Sequence, residues 1–231
     1  MTQSNFKVGN TDCKGYASDN TSYLLIQPVD EHDYESLDSE TDYISDHFAK
    51  PYTLVSFSIK DWNKELSPWD APPVFGKESF GSGANDTLCF IEDHLLPYIY
   101  QNFGISKDIP VILGGYSLAG LFALWSCYQT NAFKAIAAAS PSVWFPVFLD
   151  YVKENSTDTS VIYLSLGDKE EKAKNPTMAT VGDCIKDLNA YFDSIDITTT
   201  LEWNEGNHFK DADIRTAKAF VWCMERINND N

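Results

Sequence analysis

Ile109-Pro110-Val111-Ile112-Leu113-Gly114-Gly115-Tyr116-Ser117-Leu118-Ala119-Gly120 is the stretch of this sequence that predicts how the rest of the chain is organised. An apolar run meets two glycines, then a serine, then small residues at the start of a helical pattern. This order predicts a strand, a tight turn and a helix, with Ser117 at the apex of the turn. Gly115 and Ala119 flank the serine, where small residues are needed because the strand and helix backbones approach closely.

A serine at such an apex has its hydroxyl exposed beyond the end of the sheet. The first N–H groups of the following helix lie beside it without helical partners. Together with the helix dipole, they are able to stabilise an oxyanion, as acyl transfer requires. The usual pattern is G-x-S-x-G, and here Ala119 stands at the last position. The alternative is an ordinary turn in which Ser117 only caps the helix.

Apolar runs alternate with helical patterns along most of the chain. The predicted core strands cover residues 22–29, 52–59, 111–113, 133–139, 160–166 and 197–203. Such alternation predicts an α/β protein, a three-layer α/β/α sandwich with a mostly parallel central sheet. We expect one domain over residues 1–231, with residues 1–20 forming one or two short edge strands.

Residues 61–85 differ in composition, being rich in tryptophan, proline and glycine. A loop of this length inside a compact domain is usually functional, so we expect it near the site. Asp86 is then expected to cap the helix that follows.

The ends of three predicted strands offer a serine, an acid and a histidine in chain order, which is the order of an α/β-hydrolase triad. His208 is the candidate base because it follows the last strand and is the only histidine after the acid loop. His47 and His94 fall in predicted helices and are expected on the surface. His32, in a predicted loop after the first core strand, is a further candidate.

The loop after residues 160–166 contains the candidate acids Asp168, Glu170 and Glu171. We prefer Glu170, because its distance past Gly167 lets the carboxylate point back towards the histidine. Asp168 is the alternative, and Glu171 is expected to be solvated.

Two backbone N–H groups are expected to stabilise the oxyanion. One belongs to Leu118, the residue after the candidate nucleophile. The other is expected in the loop after residues 22–29. Because Pro28 has no N–H, Val29 is the candidate there.

At these residues the chain resembles the putative-esterase family of α/β hydrolases, which includes enterobactin-esterase-like, feruloyl-esterase-like and S-formylglutathione-hydrolase-like enzymes. The resemblance is carried by residues 115–120, residues 140–144, the Gly167-x-x-Glu170 loop and residues 206–208. It implies the α/β-hydrolase fold, with Ser117, Glu170 and His208 as nucleophile, acid and base. It also implies that the Trp144 region lines the acyl or alcohol pocket.

The sequence departs from the family at the oxyanion loop, where Gln27-Pro28 replaces the common His-Gly pair. Loss of one oxyanion donor typically lowers the rate by roughly 100- to 1000-fold. The departure therefore predicts a weak enzyme if the second donor is missing.

Trp62, Trp69 and Trp144 fall in loops that such a sheet directs towards the site. With Tyr116 they are the candidate substrate-binding residues, forming an aromatic cleft for a flat or acyl substrate. The alternative is that the tryptophans only pin long loops to the core.

Charge and composition bear on partners and location. A net charge of −17 disfavours nucleic acid and anionic membranes. The sequence has no apolar run of 18 residues and no secretory h-region, so we expect neither a membrane span nor secretion. Its five cysteines lack C-x-x-C spacing, which predicts free, buried thiols in the reducing cytoplasm. The sequence also lacks zinc-ligand spacing, a phosphate loop and a dinucleotide fingerprint, so we expect no metal or cofactor.

The leading hypothesis is a cytoplasmic serine esterase that cleaves a small-molecule carboxylic ester through an acyl-enzyme. One alternative is a non-catalytic binding protein with the same fold, and another is an acyltransferase that uses an acceptor other than water.

Overall fold

The computed structural model of the protein describes residues 1–74 and 76–227, and a central β-sheet runs through it. Its strands are β1 (Thr2–Val8), β2 (Thr11–Ala17), β3 (Tyr23–Val29), β4 (Tyr52–Ser58), β5 (Val111–Tyr116), β6 (Ala135–Ala139), β7 (Val161–Gly167) and β8 (Thr198–Asn204). Within the described residues the sheet has eight strands in the order β1-β2-β4-β3-β5-β6-β7-β8. Strands β3 to β8 all run parallel to one another. The prediction of a mostly parallel sheet is confirmed.

Helices cover both faces of this sheet. They are α1 (Glu31–His47), α2 (Trp62–Glu65), α3 (Ala84–Phe90), α4 (Leu96–Asn102), α5 (Leu118–Ser126), α6 (Phe148–Glu154), α7 (Pro176–Ala179), α8 (Val181–Ser194) and α9 (Ala212–Ile227). Apolar side chains of α1 and α9 form one core cluster with the sheet. Those of α3, α4, α5, α6 and α8 form the other. The predicted three-layer α/β/α sandwich is therefore confirmed.

The core strands show why the apolar runs identified them. Every residue of β3 and of β7 is buried. A parallel strand with helices packed on both of its faces has no solvent-facing side, so its sequence is mostly apolar rather than alternating, with Gln27 and Ser165 as buried polar exceptions.

The edge of the sheet is a hairpin. β1 and β2 pair antiparallel, and β2 continues antiparallel onto β4. Gly9 lies in the turn between β1 and β2 with φ +59°, which glycine adopts without strain. One or two short edge strands were predicted in this region, and the structure shows two, each seven residues long.

Residues 61–74 and 76–85 contain more regular structure than the predicted loop. They contain the short helix α2, capped by the Asp61 side chain, and an isolated bridge between Ala71 and Phe80. The predicted cap at Asp86 is wrong, because α3 begins at Ala84 with Gly83 as its N-cap. Gly83 fits there because a Cβ atom would lie 2.7 Å from the Lys64 carbonyl oxygen.

The helix α1 begins directly after β3. Asp30 caps it by accepting hydrogen bonds from the N–H groups of His32 and Asp33. His32 therefore lies exposed in the first helical turn rather than in a loop, and the prediction of its loop position is wrong. His47 and His94 are exposed on helices, as predicted.

All five cysteines are free. Cys13, Cys127 and Cys223 are buried, whereas Cys89 is exposed and Cys184 is half-buried. The prediction of buried thiols is thus correct for three of them. In the described part of the chain, no helix is both long and apolar enough to span a membrane.

Glu40 on α1 is a buried acid in the layer beneath the sheet. It is 4% exposed, and its Oε2 accepts a hydrogen bond from Gln27 Nε2 at 3.0 Å. Its Oε1 has no hydrogen-bond partner among the described residues. Burial, together with the nearby Asp33 and Asp213 carboxylates, raises the pKa of Glu40 from 4.5 to about 8.

We expect Glu40→Gln to stabilise the protein at neutral pH. In the unfolded chain Glu40 loses its proton near pH 4.5, but in the folded chain only near pH 8. Folding stability therefore falls as the pH rises between these values. Glutamine keeps the acceptor for Gln27 and removes the titration. The gain at pH 7 should be about 1–3 kcal/mol, shrinking towards zero near pH 4.5. Guanidinium denaturation at several pH values measures it.

Glu35→Gln is the matched control, because Glu35 lies exposed on the same helix. It should leave the slope of stability against pH unchanged. Equal slopes for the wild type and the Glu40→Gln variant would contradict the assignment of a protonated Glu40.

Candidate active site

Ser117 lies at the turn between β5 and α5, in a backbone conformation that few residues other than glycine adopt. Its φ and ψ are 58° and −118°. The turn is tight enough that a Cβ atom on Gly115 would lie 2.6 Å from the Cβ of Ala119. This contact explains why the residue two positions before the serine is glycine. A strained serine at this position, between a strand and a helix, has the geometry of a nucleophile elbow.

The imidazole of His208 joins Ser117 to Glu170. His208 Nε2 lies 2.9 Å from Ser117 Oγ, and His208 Nδ1 lies 2.6 Å from Glu170 Oε2. Glu170 follows β7 and His208 follows β8, so the three side chains come from the carboxyl ends of three parallel strands. The structure thus brings together the three residues that the sequence singled out.

The carboxylate of Glu170 is almost fully buried, with 4% of its side chain exposed. Its Oε1 accepts hydrogen bonds from the Gly167 N–H at 2.7 Å, the Ser140 hydroxyl at 2.8 Å and Arg215 Nη1 at 3.0 Å. Burial raises the pKa of this carboxyl. The hydrogen bond and charge of His208, with the Gly167 and Ser140 donors, outweigh burial and hold the pKa below its usual value. Glu170 is therefore ionised at neutral pH.

Arg215, on α9, is 1% exposed and makes contacts on two sides of the site. Its Nη1 binds the carboxylate of Glu170, and its Nη2 donates to the carbonyl oxygens of Glu205 at 3.2 Å and Asn207 at 3.1 Å. One guanidinium therefore fixes the acid relative to the loop that carries His208.

Tyr116 completes this support from behind the site. Its hydroxyl donates to the His208 carbonyl oxygen at 2.8 Å and accepts from Arg215 Nη1 at 3.0 Å. Burial above all, with the nearby Glu170 carboxylate, raises the pKa of Tyr116 to about 12, so the hydroxyl keeps its proton.

Asp168, the alternative acid, lies elsewhere. It is exposed, and its Oδ1 accepts a hydrogen bond from the Gly206 N–H at 2.7 Å. It therefore ties the end of β7 to the turn before His208 without contacting the imidazole. Glu171 is exposed, as predicted, and lies 3.7 Å from Lys186 Nζ.

A pocket of about 350 Å³ opens over Ser117. The side chains that line it are mostly apolar. They belong to Trp62, Asn63, Phe80, Ser117, Leu118, Ser140, Pro141, Ser142, Trp144, Glu170, Ala173, Met178, Val181, His208 and Phe209. Trp62 and Trp144 thus lie where they were predicted, and residues 61–85 contribute Asn63 and Phe80 as well.

Two predicted substrate-binding residues do not line this pocket. Trp69 donates from Nε1 to the Pro146 carbonyl oxygen at 3.0 Å and packs against Phe145 and Tyr151. It pins its loop to the core, which is the alternative that the sequence left open. Tyr116 points away from the pocket because its hydroxyl is bonded to the His208 loop.

Leu118 lines the pocket as the first residue of α5, where its N–H has no partner within the helix. Val29 does not reach the site. Its carbonyl accepts from Ile59 N at 2.9 Å, and in a strand the N–H and C=O of one residue point to the same side. Val29 therefore faces β4, whereas Ser117 follows β5 on the other side of β3. The prediction of an oxyanion donor at Val29 is wrong for this reason.

Two residues of the site, Arg215 and Phe209, were not identified from the sequence. Arg215 reads as an ordinary helix residue, and only the packing of α9 against the sheet brings it to Glu170. Phe209 was detectable in principle, since it directly follows His208. Among the described residues, no group of three or more histidine, cysteine, aspartate or glutamate side chains is placed to hold a metal ion.

We expect Arg215→Met to destabilise the protein strongly, because it leaves the buried Glu170 carboxylate without its cation. Breaking a buried ion pair from one side costs about 3–5 kcal/mol. The midpoint of guanidinium denaturation at pH 7 measures the loss.

Arg226→Met is the control in the same helix. Arg226 lies 3.8 Å from Glu225, and both side chains are 40% or more exposed. Its loss should cost about 0–1 kcal/mol. Similar losses for the two variants would show that the buried pair does not stabilise the fold.

Comparison with known proteins shows which folds and families the chain is similar to. Among solved structures, the chain resembles an IroE-like serine hydrolase from Shewanella oneidensis, with a TM-score of 0.80 and 13% identity, covering 96% of this chain and 79% of that one. It also resembles a siderophore hydrolase, EstA, from Aspergillus nidulans, with a TM-score of 0.72 and 16% identity, covering 99% of this chain and 95% of that one. The likeness to the enterobactin esterase from Shigella flexneri has a TM-score of 0.69 and 15% identity, covering 98% of this chain and 59% of that one. At these identities the likeness shows the α/β-hydrolase fold.

A search of curated proteins gives no match to the sequence. The family model described as "Putative esterase" matches residues 30–194, which is more than half of the chain. The chain therefore belongs to the putative-esterase family of carboxylic-ester hydrolases.

Proposed function

We propose that the protein is a serine esterase that cleaves a small-molecule carboxylic ester through an acyl-enzyme intermediate. The observation that carries this proposal is the hydrogen-bonded chain from Ser117 Oγ through His208 to Glu170, with heavy-atom distances of 2.9 Å and 2.6 Å. In it a hydroxyl, an imidazole and an ionised carboxylate stand in the order that activates a serine nucleophile.

In the acylation step, Ser117 Oγ attacks the acyl carbon while His208 Nε2 takes the hydroxyl proton. The tetrahedral intermediate then collapses, and His208 returns the proton to the departing alcohol. In deacylation, His208 removes a proton from water, whose oxygen attacks the acyl-enzyme. The carboxylic acid leaves, and Ser117 recovers its proton.

Glu170 has a constant role in both steps. It accepts the hydrogen bond from His208 Nδ1–H, which leaves Nε2 free to act as the base, and it stabilises the imidazolium. Hydrogen bonds from Arg215 and the Gly167 N–H orient this carboxylate. The acid stays unprotonated throughout.

The oxyanion is assigned to the N–H of Leu118 at the positive end of the α5 dipole. The side chains of Asn63 and Ser142 line the same pocket and are polar groups within the substrate's reach. We further propose that the chain works as one domain in the cytoplasm, where its free thiols suit a reducing environment.

Ser117→Ala should abolish covalent labelling by a serine-reactive aryl phosphonate and lower kcat for 4-nitrophenyl butyrate by about 10⁴-fold or more, because it removes the nucleophile. Intact-mass spectrometry and peptide mapping locate the label in the wild type.

Ser142→Ala is the matched control, since Ser142 Oγ lies 3.4 Å from Ser117 Oγ in the same pocket. It should remain labelled at Ser117. Absence of any label on wild-type Ser117 would favour a non-catalytic binding protein with this fold. Faster 4-nitrophenol release with added alcohols or thiols would indicate acyl transfer.

Glu170→Gln should lower kcat on the order of 10³- to 10⁴-fold. A neutral amide does not stabilise the imidazolium form of His208, and it does not fix the tautomer of the neutral imidazole. Asp168→Asn keeps the Oδ1 acceptor for the Gly206 N–H and should lower kcat by less than about 10-fold. Steady-state kinetics of both purified variants compare the two acids. A larger loss for Asp168→Asn would reverse the assignment.

A further inference from the structure

We propose that the pocket over Ser117 selects small uncharged esters and rejects esters whose acyl group carries a negative charge. This inference rests on the proposed function, because it concerns the substrate of the same site. It is argued from the charges, the apolar surface and the size of the pocket.

The pocket offers no cation to an anionic substrate. In the described part of the chain, no lysine or arginine lines it, and the charged or titratable side chains of its wall are Glu170 and His208. The Glu170 carboxylate is already bound by His208, Arg215 and Ser140. A substrate carboxylate entering here would lose its hydration and find no ion partner, which is strongly unfavourable.

Five lysines that adjoin lining residues in the sequence do not change this. Lys64, Lys169, Lys172 and Lys174 are exposed, and Lys210 is half-buried with its Nζ 3.3 Å from a Glu205 carboxylate oxygen. Hydrated surface ammonium groups attract an anion only weakly, and salt screens them. The chain as a whole carries a formal charge of −17, so its long-range field repels anions.

The walls are suited to an apolar group. Four aromatic side chains, those of Trp62, Phe80, Trp144 and Phe209, surround the nucleophile together with Met178 and other aliphatic residues. Phe209 is 88% exposed and its ring lies edge-on to the imidazole of His208. An aromatic ring left exposed beside the base is surface that an apolar substrate would cover.

The size of the pocket limits the substrate as well. Its volume of about 350 Å³ lies near the lower end of the range for ligand pockets, about 300–1,000 Å³. It therefore suits a short acyl chain or a single aromatic ring.

Met178 is the position at which the charge preference is best tested. It lies half-buried on α7 and lines the pocket. Lysine has a similar unbranched length, so Met178→Lys introduces a cation into the wall with little change of shape. Met178→Gln is the matched neutral control.

The test compares kcat/KM for two 4-nitrophenyl esters of equal acyl length, the hexanoate and the adipate monoester, whose free carboxylate provides the negative charge. Release of 4-nitrophenol is followed at pH 7.5 with the uncatalysed rate subtracted. The wild type should prefer the hexanoate by roughly 100-fold, and the preference should weaken at 0.5 M salt.

Met178→Lys should reduce this preference by about 10-fold or more, chiefly by improving turnover of the adipate, and Met178→Gln should not. Should Met178→Lys fail to fold, Ala173→Lys and Ala173→Gln repeat the comparison from the neighbouring wall. Equal kcat/KM for the two esters in the wild type would overturn the charge inference and leave the esterase proposal standing. Turnover of neither ester, without labelling of Ser117, would instead remove the esterase proposal.

Discussion

A buried, ionised carboxylate needs partners that balance its charge, and the bonds of Glu170 to Arg215 and His208 organise the candidate site. Arg215 binds one of its oxygens and His208 the other. The same guanidinium holds the carbonyls of Glu205 and Asn207 before the histidine. Because an unpaired charge at this depth would cost several kcal/mol, the end of β7, the loop after β8 and the helix α9 are fixed relative to one another. The geometry around Ser117 follows from that constraint.

The parallel sheet brings residues that are far apart in the sequence close together in space. Ser117 and His208 are separated by 91 residues, yet they follow strands whose carboxyl ends meet at one edge of the sheet. The positive φ of Ser117 and the missing side chain of Gly115 let β5 and α5 approach closely. The strained backbone at Ser117 persists because the packing of β5 and α5 on either side holds it in place.

Membership of the esterase family gives the reaction class, whereas the walls of the pocket come from segments between the strands. Solved structures that share the fold differ from this chain at more than four positions in five. The segment with Trp62, Asn63 and Phe80 forms one wall of the pocket, and the segment with Ala173 and Met178 forms another. These walls lie outside the parallel strands, so they are free to vary in charge and size while the sheet holds Ser117, Glu170 and His208 in place.

The sequence by itself determined the sheet, the serine turn and the chain order of Ser117, Glu170 and His208, because these depend on local apolar runs and on glycines at fixed spacing. It left Asp168 open as the acid, and it placed Val29 and Trp69 at the site. Only the tertiary structure shows that Asp168 does not contact His208 and that Val29 and Trp69 lie away from the pocket. The direction of the Val29 N–H depends on which strand pairs with β3, and the indole of Trp69 found its acceptor at Pro146, far along the chain. Arg215 became part of the site only through the packing of α9 against the sheet. Such contacts join residues with no local relation in the sequence, so only the folded chain defines them.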